Sequence, residues 1–108
     1  MKERRLKKII EVLQIHLPEL KKKFKVKRIG IFGSYAIGKE TDKSDLDILV
    51  EFEKDAKITL FDLMRLENYI FKLTKIKVDL LTPDSISPYI KPYILEEVKF
   101  IEKSRSFS

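Results

Sequence analysis

The chain has 108 residues, carries 23 Lys and Arg against 17 Asp and Glu for a net charge of +6, and contains no cysteine. That length suits a single domain, residues 1–108, with one modest core, and the missing cysteines exclude disulfides and thiolate metal sites. No run approaches the roughly 18 apolar residues of a membrane span and no signal-peptide pattern is present, so a soluble, cytoplasmic protein is expected.

Residues 2 to about 16 predict an amphipathic helix, with Leu6, Ile9, Ile10, Leu13 and Leu17 at helical spacing. Pro18 is expected to end or restart it, leaving Pro18 to Lys23 as a further turn or two. Lys21, Lys22 and Lys23 suit a solvated helix end. The lone His16 beside them reads as structural. Val26 to Phe32 is an apolar strand that breaks at Gly33-Ser34. A polar connection, 33–45, leads to a second strand, Leu46 to Phe52. Thr59 is placed to cap a helix, with Asp62 three residues on. Leu60, Leu63, Met64, Ile70 and Leu73 would be its buried stripe, and Phe61, Tyr69 and Phe71 core or flank. Ile76 to Leu81 predicts a third strand. The last helix should start at Pro92, with Tyr93, Ile94, Val98 and Ile101 as its apolar side, and Ser104 to Ser108 is a polar, frayed tail. Helices alternating with strands predict an α/β (α+β) fold: a small mixed sheet of three or more strands covered by helices.

Residues two apart on a strand share a face, so Asp45 and Asp47 aim their carboxylates together while Leu46 and Ile48 point into a core. Such a pair is unfavourable without a cation, and hard oxygen ligands suit Mg²⁺. Gly33-Ser34 ends the preceding strand and offers backbone N–H groups to a phosphate. Asp79 interrupts an apolar strand and faces away from Val78 and Leu80, which makes it the natural third carboxylate. At an effective dielectric near 20, carboxylates about 5 Å apart repel by roughly 3 kcal/mol per pair. A phosphate cradle beside paired carboxylates is the equipment of metal-assisted phosphoryl or nucleotidyl transfer.

Gly33-Ser34, ten residues, then Asp45-Leu46-Asp47 resembles the signature of the DNA polymerase β-like nucleotidyltransferase superfamily. Four fixed residues match by chance roughly once in 10⁵ start points. The wording Phe-Gly-Ser-Tyr-Ala-x-Gly and Ser-Asp-Leu-Asp-Ile-Leu-Val is similar to its minimal nucleotidyltransferases, which are commonly encoded beside a HEPN-domain toxin. The resemblance implies the polymerase β-like fold, with the end of the first strand beside the start of the second, as in an antiparallel pair. It implies that Asp45 and Asp47 hold two Mg²⁺ ions and the nucleotide's α-phosphate, that Asp79 serves the incoming hydroxyl, and that Gly33 and Ser34 grip the terminal phosphates of ATP. The implied activity is protein adenylylation: AMP passes from ATP to a tyrosine of a HEPN-family toxin and pyrophosphate leaves.

Two other functions fit the same chain. A non-catalytic antitoxin would keep the fold and block its partner sterically, but would have no need of the intact Gly-Ser and acidic positions. A small-molecule nucleotidyltransferase normally carries an extra helical domain. Direct nucleic-acid binding would rest on net charge alone, and the mixed signs favour a solvated Lys- and Glu-rich surface. Tyr89, Ile90, Tyr93 and Ile94 either close the core against the third strand or stay exposed as a docking patch for a protein partner. Self-association is left open.

Overall fold

The computed structural model describes residues 2–103, with side chains from Arg5 onward. The Ser104 to Ser108 tail lies outside the described residues. Apolar residues recur every third or fourth position from Leu6 to Phe24, and they wind into one unbroken helix, α1 (Lys2–Phe24). Pro18 does not end it, contrary to expectation. Pro18 itself is exposed, while Leu13, Leu17, Leu20 and Phe24 stay in phase on either side of it and are buried. An interior proline costs about 3 kcal/mol. Burying Leu17, Leu20 and Phe24 returns roughly 1.5–3 kcal/mol each, so packing outweighs the local break. His16 is structural, as expected: its Nδ1 lies 2.9 Å from the Val12 carbonyl.

The two apolar runs become β1 (Val26–Phe32) and β2 (Leu46–Phe52), paired antiparallel with Phe32 opposite Asp47. α2 (Leu60–Thr74) carries the chain across to β3 (Val78–Leu81), which runs parallel to β2 with Asp79 opposite Asp47. β3 starts later than the apolar run suggested. Lys75 ends α2 in the left-handed region at φ 63°, and the chain is still turning at Ile76.

The Thr59 cap forms in full. Asp62 N–H donates to the Thr59 hydroxyl at 3.3 Å, and Thr59 N–H donates to the Asp62 carboxylate at 2.8 Å. The α2 stripe differs from expectation. Leu66 and Ile70 are its buried centre, with Leu63 and Leu73 half-buried beside them. Leu60 and Met64 are exposed, as are Phe61 and Phe71. At 100° per residue Met64 stands about 160° from Leu66 and Leu60 about 120° off, so neither can follow Leu66 inward.

The C-terminal segment also departs from the predicted pattern. α3 covers only Lys91–Glu97, and Val98 turns to extended backbone. A fourth strand, β4 (Lys99–Phe100), then pairs antiparallel with β1, giving the order β3-β2-β1-β4. Gly30 permits this. A Cβ there would stand 2.7 Å from Val98 Cγ2 and 3.0 Å from Phe100 Cδ1, so the missing side chain lets Val98 and Phe100 lie flat on β1.

Ile29, Ile31, Leu46, Ile48 and Val78 bury one sheet face under α1 and α2. Phe32 and Leu49 on the other face meet Ile94 of α3. Strand alternation puts Asp47 and Asp79 on that second, thinly covered face. Among the described residues no helix is long and apolar enough to cross a membrane.

Candidate active site

Because Phe32 is opposite Asp47, the next residue of the chain falls against the Asp47 carboxylate. That residue is Gly33, at φ +74°. A Cβ on Gly33 would overlap the carboxylate, coming 2.9 Å from Asp47 Cγ. Conformation and space therefore both demand glycine here. The chain then tightens into a 3-10 turn, Gly33–Tyr35. Ala36 and Ile37 N–H both donate to the Gly33 carbonyl, and Lys39 N–H donates to that of Ser34. Buried Tyr35 and Ala36 anchor the turn from below.

The parallel register sets Asp79 beside Asp47 on strands about 4.8 Å apart. Asp79 is exposed, Asp47 is half-buried, and Asp45 stands exposed just before β2. The structure thus brings the sequence-nominated Asp47, Asp79, Asp45 and Gly33-Ser34 to one end of β2. Burial pushes the Asp47 carboxyl up to about 6, helped by the negative charges of Asp79, Asp45 and Glu97. Among the described residues none of these four acids takes part in an ion pair.

The donor set fits Mg²⁺. It offers hard carboxylate oxygens, one of them desolvated and crowded by like charge, beside the Gly33–Tyr35 backbone turn. Among the described residues no three acid, His or Cys side chains form a ready-made metal cage. Mg²⁺ ordinarily takes one or two protein carboxylates and completes its shell with water and substrate phosphate, so the open arrangement suits it.

Two acids escaped sequence reasoning. Glu97, the last residue of α3, accepts a hydrogen bond from Gly33 N–H at 2.9 Å. No spacing in the sequence signals a contact across 64 residues. Glu40 in the 33–45 connection is buried, with both carboxylate oxygens lacking a hydrogen-bond partner among the described residues. Of the four residues considered for docking, Tyr89, Ile90 and Tyr93 are exposed and Ile94 is buried. A surface hollow of about 540 Å³ lies elsewhere, along Phe61, Met64 and Phe71 of α2.

The sequence model of the nucleotidyltransferase domain family matches residues 13–101. A candidate protein adenylyltransferase of Methanocaldococcus jannaschii is 48% identical over 97 residues, covering 89% of this chain and 97% of that protein. A solved structure of a candidate minimal nucleotidyltransferase superposes with a TM-score of 0.68 at 30% identity, covering 83% of this chain and 93% of that one. A chain from a toxin-antitoxin complex with AMP-PNP superposes with a TM-score of 0.65 at 21% identity, covering 85% of this chain and 74% of that one, a likeness of fold.

Proposed function

The chain belongs to the nucleotidyltransferase domain family, and from that membership and the site's geometry we propose that it is a Mg²⁺-dependent protein adenylyltransferase, the antitoxin of a HEPN-domain toxin. The observation that carries the proposal is the double register at Asp47. Phe32 opposite it delivers Gly33-Ser34, and Asp79 opposite it on the other side delivers a second carboxylate. Two sheet neighbours of one aspartate thus supply both the phosphate grip and the acid partner. The name of the 48% identical relative supports AMP as the group transferred.

In this mechanism Gly33 and Ser34 hold the β- and γ-phosphates of ATP. Asp45 and Asp47, with Asp79 beside them, hold Mg²⁺. When bound, Mg²⁺ supplies charge neutralisation and Lewis acidity toward the triphosphate. Asp79, exposed at the rim, faces the acceptor hydroxyl and takes its proton. The hydroxyl oxygen bonds to the α-phosphorus, the bond from that phosphorus to the bridging oxygen breaks, and pyrophosphate leaves. The acceptor in this mechanism is a tyrosine hydroxyl of the HEPN protein, while Ser34 serves the phosphates. Exposed Tyr89 and Ile90, just before α3, and Tyr93 within it supply apolar surface for such a partner.

The test is co-expression with an all-helical HEPN-domain protein encoded beside this chain's gene, followed by intact-mass analysis. A partner that co-purifies with a tyrosine carrying added AMP, and loses the added mass when Asp47→Asn is used while the complex survives, bears the proposal out. A complex whose partner is never modified makes the chain a steric antitoxin. No complex at all turns the search to a small-molecule acceptor.

A further inference from the structure

Gly33 N–H stands where the proposed phosphate grip begins, yet it already serves an anion. The Glu97 carboxylate accepts from it at 2.9 Å, reaching across from the end of α3. We propose that Glu97 is a built-in occupant of the phosphate seat, which a triphosphate must displace before it binds. This rests on the reading of Gly33 and Ser34 as the phosphate grip.

Glu97 stands near other carboxylates. Its charge bears on Asp47, which already faces Asp79 and Asp45. Among the described residues no Lys or Arg pairs with it, and its hydrogen-bond partner is the Gly33 amide. A carboxylate held among carboxylates by one backbone N–H marks that N–H as a donor that selects anions. Phosphate oxygens ask for the same donor.

Release needs little movement. Glu97 is half-buried and is the final residue of a seven-residue helix whose buried anchor is Ile94. A change of side-chain rotamer is enough to free the amide, with Ile94 and β4 left in place. Swinging outward also takes the Glu97 charge away from Asp47. Nucleotide binding thus exchanges one anion for another at Gly33, and Glu97 weakens that binding by the strength of the bond it gives up. A mere fastener between α3 and β1 would behave differently, because its loss would loosen the fold without helping the nucleotide.

Calorimetric titration of the full chain with AMP-PNP and Mg²⁺ tests this on the wild type, Glu97→Asp and Glu97→Ala. Aspartate keeps the charge but is one methylene too short to reach Gly33. Both variants should bind about tenfold tighter, the loss of one charge-assisted bond to the competitor. If Glu97→Ala tightens binding and Glu97→Asp does not, charge alone is at work and occupancy is refuted. If both weaken it, Glu97 belongs to the nucleotide's own grip and the proposal fails. The wild type gives a measurement independent of how the variants fold. The Glu97 side-chain carboxyl resonance should shift on AMP-PNP addition together with the Gly33 amide, and an unmoved Glu97 resonance overturns displacement. A wild type and variants that all fail to bind AMP-PNP sink the phosphate reading of Gly33-Ser34 itself, a separate failure from the others.

Discussion

Replacing Asp47 with asparagine tests the electrostatics of the site without touching its shape. Folding raises the Asp47 carboxyl from 3.8 to about 6, through burial first and then the charges of Asp79, Asp45 and Glu97. A group whose folded value is raised stabilises the fold while protonated. Its contribution is complete below about pH 4 and is lost as pH climbs through 6. The whole shift corresponds to about 3 kcal/mol. Asp47 is only half-buried, and water on its open side screens the neighbours, which brings the expected effect to about 1–2 kcal/mol. Asparagine cannot ionise and has no such pH dependence. In metal-free buffer, urea unfolding at a series of pH values should show the wild type losing about 1–2 kcal/mol relative to Asp47→Asn between pH 4 and 7. Millimolar Mg²⁺ at pH 7 should restore much of that loss in the wild type and little in the variant. Parallel stability curves for the two proteins would refute the picture of a desolvated, crowded carboxylate.

Gly33→Ala combines a left-handed backbone with overlap on Asp47, so it should cost at least about 2 kcal/mol and abolish AMP transfer; a variant that melts with the wild type would contradict the geometry of the turn. Thr59→Ala removes the hydroxyl that accepts from Asp62 N–H and donates to the Asp62 carboxylate, leaving the bond from Thr59 N–H in place, and calorimetric melting should drop by roughly 4–8 °C for a loss of about 1 kcal/mol, with nucleotide binding unchanged. Gly30→Ala drives a methyl group into Val98 and Phe100. Amide exchange at β4 should then accelerate while α1 and β2 stay protected, and unchanged β4 protection would show that the segment does not depend on this close approach.

The sequence and the structure agree where two signals coincide. β1 and β2 were legible because apolar runs end at a glycine break and at an aspartate mouth, and both strands have the limits read for them. The Thr59 cap was legible because its bonds are local. Asp79 stood out as an acid inside Val-Asp-Leu-Leu, and the structure sets it, exposed, opposite Asp47. What failed was long-range. Pro18 is a strong local signal that three buried neighbours outweigh. The α2 stripe was legible at Leu63, Ile70 and Leu73 but not at Leu66, Leu60 and Met64, because a helix with apolar residues on several sides does not say which side is covered. β4 depends on Gly30, 70 residues from Phe100, and periodicity carries no trace of such a partner.

The mixed sheet explains why the site forms at one end of β2. A residue near the start of a strand has the end of an antiparallel neighbour beside it and the start of a parallel one. β1 is antiparallel and brings its exit, Gly33-Ser34; β3 is parallel and brings its entrance, with Asp79 at the second position. If β3 were antiparallel, the end of that strand would stand there instead and Asp79 would lie farther along the sheet. The α2 crossover between β2 and β3 therefore matters to the acids through the parallel register it allows. The same topology leaves α3 as the element over that face, tied to β1 through β4 and to the core through Ile94. An acid at the end of α3 consequently reaches the Gly33 amide, so the segment that shields the sheet also supplies the anion that a nucleotide would meet first.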